Sequence, residues 1–182
     1  MSKVLVPLAE GFEELEAVTI IDLLRRAGID VVVASLEEGP IKASRGVVVL
    51  ADMSLDDALG QEYDMVVLPG GAAGSDNLNN DSRIHELLKH MANSERFTAA
   101  ICAAPKVLAG AGVLTGQKIT AFPGVMDALP NKPFTDSGEA VVTDGKIITS
   151  RGPGTAMDFT LALIAQLAGD DKRQEIEAQL KR

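Results

Sequence analysis

The sequence is short of aromatic and sulfur chemistry, with no tryptophan, one tyrosine, five phenylalanines and a single cysteine among 182 residues. Aromatics this sparse, with no basic stripe between them, leave no stacking platform for single-stranded nucleic acid. Positive charge is short as well. Seventeen Lys and Arg stand against 26 Asp and Glu, a net charge of −9, which disfavours non-specific attraction to DNA, RNA or anionic membranes. One cysteine closes no intramolecular disulfide and fits a reducing compartment. The two histidines, His85 and His90, share one polar stretch with Arg83, Glu86 and Lys89. With one cysteine they give no metal-site spacing, and neither a metal nor a cofactor is expected. No window approaches the roughly 18 apolar residues of a membrane helix, and Val4–Leu8 is too short for a signal-peptide core. A cytoplasmic location is expected.

What is present is a globular pattern. Apolar residues make up 46% and charged residues 24% of the chain, and the length fits one domain over residues 1–182. Short β-rich runs alternate with longer helical ones, predicting an α/β fold with a parallel sheet covered on both faces. Expected strands are Val4–Leu8, Ile29–Ser35, Tyr63–Leu68, Phe97–Ile101 and Lys118–Phe122. Ile41–Leu50 reads as two extended pieces about a Ser44-Arg45-Gly46 turn, and Ala140–Val142 with Ile147–Ser150 as a hairpin across Asp144-Gly145. Expected helices are Glu13–Ala27, Ser54–Leu59 capped by Ser54, Ser82–Ala92, Pro105–Ala111, Ala156–Ala168 entered through Thr155, and Asp171–Lys181. This is a flavodoxin-like, doubly wound, mostly parallel sheet with a small β-hairpin. Such folds place sites at the carboxyl ends of strands, where Ala9–Glu13, Pro69–Gly71 and Cys102–Ala104 would converge.

Cys102 follows the buried strand Phe97–Ile101 and precedes a helix, with Ala99, Ala100, Ala103 and Ala104 around it. A nucleophile on a sharp strand-to-helix turn needs small neighbours, and a helix N-terminus favours thiolate. A free cysteine also serves as a small buried hydrophobe. Glu16 lies on a stripe with Ile20, Leu23, Leu24 and Ala27, where desolvation would raise its pKa and let it donate a proton. Glu13 heads a second stripe (Ala17, Ile20, Ile21, Leu24), so periodicity does not choose between them. Acids near a helix start are also favoured by the macrodipole alone. Gly70 and Gly71 after Pro69 could expose N–H groups to an oxyanion or simply turn the chain. Gly152-Pro153-Gly154-Thr155 reads as a helix entry that could line a pocket, and lacks the lysine of a P-loop. Arg26 and Arg45 are weaker candidates for binding anionic groups.

Ala9-Glu10-Gly11-Phe12-Glu13-Glu14-Leu15-Glu16, Val67-Leu68-Pro69-Gly70-Gly71, Ala99-Ala100-Ile101-Cys102-Ala103-Ala104-Pro105 and Thr149-Ser150-Arg151-Gly152-Pro153-Gly154-Thr155 occur in this order. In these motifs the chain resembles the ThiJ/PfpI superfamily, in the branch of the Parkinson-disease-associated redox-stress protein and its bacterial relatives. The resemblance implies that Cys102 is a nucleophilic, oxidation-prone cysteine and Glu16 the acid that hydrogen-bonds its sulfur. It implies that Gly71 and Ala103 are backbone oxyanion donors, and that oxidation of Cys102 gives a sulfinic acid. It also implies a homodimer and activities described as redox sensor, chaperone, glyoxalase or protein deglycase. One departure stands out: Phe122 occupies a position where several members carry histidine. Ala103 replaces the histidine of the protease-like branch, and no His follows Cys102 to complete an amidotransferase site.

The expectation is a cofactor-free glyoxalase or deglycase acting on small α-oxoaldehydes or on glycated amines and thiols, through Cys102 and Glu16. The alternative is a non-enzymatic redox sensor or chaperone switched by oxidation of Cys102.

Overall fold

The computed structural model describes residues 1–181. Its centre is a run of β-branched strands buried on both faces: β1 (Lys3–Leu8), β2 (Asp30–Ser35), β6 (Met65–Leu68), β7 (Phe97–Ile101) and β11 (Ile147–Ser150). Two short strands flank them, β5 (Met53–Ser54) and β10 (Val141–Asp144). The sheet order is β10-β11-β7-β6-β1-β2-β5. All pairings are parallel except β10 with β11, the hairpin expected across Asp144-Gly145. Two small pairs lie outside the sheet: β3 (Ile41–Lys42) with β4 (Val48–Val49), antiparallel, and β8 (Lys118–Ile119) with β9 (Thr135–Asp136), parallel.

Alternation along β1 divides the core in two. Val4, Val6 and Leu8 pack on one face with α1 (Glu14–Arg26), α6 (Ala156–Ala168) and α7 (Asp170–Leu180). Leu5 points to the other, with α2 (Leu55–Ala58), α3 (Ala72–Asn80), α4 (Ser82–Asn93) and α5 (Pro105–Gly110). Ser54 caps α2 by accepting the Asp57 N–H at 3.1 Å, and Asp81 caps α4 by accepting the Arg83 N–H at 2.9 Å.

The structure departs from the sequence reading in three places that bear on the site. Helix α3 is not expected from its sequence, because Leu78 is the one large apolar residue in it. Its small residues serve close approach instead: a Cβ on Gly74 would lie 2.7 Å from the Phe12 Cα. The expected strand Lys118–Phe122 stops at Ile119. Beyond it, the Thr120 N–H donates to Thr149 Oγ1 at 2.9 Å and the Phe122 N–H to the Cys102 carbonyl at 2.8 Å. Thr155 precedes α6 but does not cap it; its hydroxyl lies 2.6 Å from Ser150 Oγ and accepts the Gly152 N–H at 3.2 Å.

Candidate active site

The chain leaves β1 toward β2 on one side and adds β6, β7 and β11 on the other, so the order reverses between β1 and β6. Ligand crevices of open α/β sheets form at such a reversal, outside the carboxyl ends of the strands. The loops after β1, β6 and β7 carry Gly11–Glu13, Pro69–Gly71 and Cys102–Ala104 to this edge.

Cys102 ends β7 in a left-handed conformation, φ 64°, which costs a non-glycine residue about 1–2 kcal/mol. Neighbours on both sides hold it there. Its N–H donates to the Ser150 carbonyl at 2.9 Å, and its carbonyl accepts the Phe122 N–H at 2.8 Å. The side chain is half-buried and packs against the core that holds α1 and α6, and the Ala103 and Ala104 that follow are buried.

The N–H groups of Gly71 and Ala103 hydrogen-bond toward the sulfur and favour its anion. Gly71 is the N-cap of α3, at φ 92°. A side chain there would collide with the Gly11 carbonyl, and would stand 2.8 Å from the Glu13 nitrogen. The helix end aimed at the sulfur is therefore that of α3 as well as that of the short α5.

Glu16 is fully buried, as are Ile20 and Leu24 on its stripe, whereas Glu13 is only partly covered. Burial, unlike periodicity, distinguishes the two acids. Oε2 of Glu16 accepts the Gly70 N–H at 2.7 Å. Oε1 is buried without a hydrogen-bond partner of good geometry, and the Cys102 thiol is the side chain that acts on the carboxyl. Burial pushes the Glu16 pKa up to about 7, with the Glu13 charge adding to it; the Gly70 N–H and the thiol oppose the rise. Gly70 fits between the two reactive groups because it has no side chain. A Cβ there would lie 2.5 Å from Glu16 Oε2 and 2.6 Å from the Cys102 Cβ.

The thiol differs from the low-pKa group expected of a helix N-terminus. Burial, then the Glu16 charge and its hydrogen bond, push the Cys102 pKa up to about 12. Two of those three causes require Glu16 to be ionised. With its pKa near 7, Glu16 is protonated in much of the population at neutral pH. Its O–H then donates to the sulfur, and the repulsion is gone. The pair is best described as two groups sharing one proton.

The remaining residues singled out in the sequence lie elsewhere or line the rim. Arg26 pairs with Asp22 at 2.7 Å, and exposed Arg45 reaches the Ser44 carbonyl at 3.5 Å. His85 meets Asn79 at 3.1 Å, and His90 faces Glu62 at 3.9 Å. Gly152 stands beside the Phe122 ring. A cleft of about 680 Å³ lies next to the site, bounded by Glu10, Leu36, Ile41 and Asn77, and does not include Cys102 or Glu16. Among the described residues, no group of three His, Cys, Asp or Glu side chains could hold a metal ion. Nor, among them, is any helix long and apolar enough to cross a membrane.

Comparison with known proteins agrees with this fold over nearly the whole chain. Protein dj-1beta of Drosophila melanogaster is 46% identical over 97% of this chain and 95% of its own length. Its crystal structure superposes with a TM-score of 0.94, covering 99% of this chain and 98% of that one. Toxoplasma gondii DJ-1, solved in an oxidized form, gives a TM-score of 0.94 at 41% identity, over 99% of this chain and 98% of that one. The glutathione-independent glyoxalase DJR-1.2 of Caenorhabditis elegans is 32% identical over 92% of this chain and 89% of its own. The model of the DJ-1/PfpI family matches residues 2–166, a span holding every loop that meets at Cys102, and the chain belongs to that family.

Proposed function

We propose that the protein is a cofactor-free glyoxalase that converts methylglyoxal or glyoxal to the hydroxy acid, and acts as a deglycase on their adducts with amines and thiols. The observation that carries this reading is the buried Glu16 carboxyl beside Cys102, with a pKa near 7 and one oxygen without a hydrogen-bond partner. A group poised near neutral pH both gives and takes a proton. The relative named a glutathione-independent glyoxalase adds support.

In the one-proton state the Cys102 thiolate adds to the aldehyde carbon. A C–S bond forms, and the carbonyl electrons move to oxygen beside the Gly71 and Ala103 N–H groups. Glu16 protonates that oxygen, completing the hemithioacetal, and its carboxylate then removes the hydrogen from the same carbon. An enediol results. Return of the proton to the neighbouring carbon gives a thioester, so one carbon is oxidised as the other is reduced and no outside oxidant enters. Water releases lactate and restores the thiol. With Phe122 where a second acid–base group could stand, turnover is slow.

A redox-sensing role is the second reading. The Gly71 and Ala103 N–H groups and a protonated Glu16 would also hold the oxygens of an oxidised sulfur, and a relative has been solved oxidized. Both readings fit a homodimer. Leu15 and Val18 of α1 are half-exposed, as are Val47 and Val48 of the β3–β4 hairpin. The Arg45 N–H of that hairpin donates to Glu14 at 2.9 Å, which ties the hairpin to α1. A second copy of the chain would cover these apolar side chains.

The test is lactate production from methylglyoxal by the wild type, Cys102→Ser and Glu16→Gln. Loss in both variants supports the enzyme. No lactate from the wild type, with Cys102 still readily alkylated, removes the enzyme and leaves the sensor.

A further inference from the structure

Phe122 is a large apolar side chain left 47% exposed, and its backbone is fixed to the nucleophile. Its N–H donates to the Cys102 carbonyl at 2.8 Å, and its own carbonyl accepts the Val125 N–H at 3.1 Å. The base of the ring is thus held on both sides, one at the reactive residue and the other in the Pro123-Gly124 turn. The ring leans on Gly152, where an added Cβ would stand 3.3 Å from the ring's Cδ2. Gly152 has φ 169° and ψ −171°, extended backbone that any residue adopts. Glycine is not needed there for the turn. Its missing side chain instead leaves room for the ring at the rim of the site.

Charge at the site points the same way. Glu16 and Glu13 are acidic, and Lys106, at the start of α5, is paired with Asp76 at 2.6 Å. A substrate with its own carboxylate would meet these acids. A neutral one avoids that charge, and a flat apolar substituent on it would find the exposed Phe122 ring to stack on.

Building on the proposed glyoxalase chemistry, we infer that Phe122 is a specificity-determining residue that turns Cys102 toward neutral α-oxoaldehydes with an aryl or similarly flat apolar group. Phenylglyoxal is the simplest probe.

The test separates this preference from turnover. Rate constants for alkylation of Cys102 are measured with 2-bromoacetophenone and iodoacetamide, where a C–S bond forms as halide leaves. Their ratio is divided by the same ratio for glutathione. The wild type should favour the aryl reagent about tenfold, Phe122→Leu less, and Phe122→Ala not at all. Phenylglyoxal and methylglyoxal turnover are followed in parallel through mandelate and lactate. An aryl preference lost in Phe122→Ala, without turnover of either aldehyde, keeps the inference and removes the enzyme. Turnover with a ratio that Phe122→Ala leaves unchanged, in variants whose circular dichroism matches the wild type, overturns the inference and keeps the enzyme. A wild-type ratio equal to that of glutathione overturns it outright.

Discussion

The backbone N–H of Gly70 donates to Oε2 of Glu16 at 2.7 Å, joining residues 54 apart in sequence and fixing the carboxyl beside Cys102. That single bond does not offset the loss of water around a fully buried acid, and the Glu16 pKa rises from 4.5 to about 7. Below pH 4.5 the acid is protonated folded and unfolded alike. Between 4.5 and 7 the unfolded chain gives up its proton first, so the native state loses stability as pH rises through this window. Glu16→Gln supplies a neutral side chain of the same shape. It should be more stable than the wild type at pH 8, by up to roughly 3 kcal/mol, and equal to it near pH 4.5. Urea unfolding across pH 4.5–8 measures the difference; parallel curves would refute a buried acid of raised pKa.

Gly70 should tolerate no side chain. An added Cβ would meet Glu16 Oε2 at 2.5 Å, the Cys102 Cβ at 2.6 Å and the Ile101 carbonyl at 2.9 Å, and neither the strand end nor the buried carboxyl has room to move. Gly70→Ala should cost about 1–3 kcal/mol of stability and slow Cys102 alkylation. Gly154 has open space around it, so Gly154→Ala is the control and should leave both quantities unchanged. Equal behaviour of the two variants would mean that Gly70 is ordinary turn chemistry.

Much of this arrangement was legible in the sequence, because it rests on local signals. Strand Phe97–Ile101 and helix Ala156–Ala168 appear at the expected residues, since each is a mostly apolar run that ends in abrupt small or polar residues. The convergence of the loops after β1, β6 and β7 follows from parallel order alone. Other features depend on contacts that no local pattern encodes. Helix α3 carries no apolar stripe, because its glycine and alanines press against the Gly11-Phe12 backbone. Glu13 and Glu16 share equivalent stripes, and only the packed fold buries one of them. The thiol's raised pKa comes first from burial and then from Glu16, neither of which a reading of the Cys102 turn by itself includes.

If a second copy covers the surface of Leu15, Val18, Val47 and Val48, a charge placed there should disperse the dimer. All four are exposed by between 47% and 57% in the single chain, so substitution disturbs little packing within it. Val18→Asp and Val48→Asp should each reduce the mass measured by light scattering from that of two chains to that of one, with circular dichroism unchanged. A wild-type mass of one chain would dismiss the proposed dimer. A dimer unaffected by either charge would place its contact elsewhere.

Replacing Phe122 with histidine tests both the mechanism and the role of the ring. The backbone at this position is tied to Cys102 through a bond that any residue but proline makes, so an imidazole would start from the same anchored place. In the wild type, Glu16 alone carries protons between the two carbons, first giving one to the hemithioacetal oxygen and then, as the carboxylate, taking one from carbon. A second group titrating near pH 6.5 would take the hydrogen from the hemithioacetal and leave Glu16 only the transfers at oxygen. Phe122→His should raise kcat for methylglyoxal by about a hundredfold, a modest return for one general base. It should also add a limb near that pKa to the pH–rate profile, and lower the preference for phenylglyoxal. The limb is the decisive reading: a higher rate without it would mean that removing the ring merely opened the site, and an unchanged rate and profile would mean that proton transfer by Glu16 is not what limits turnover.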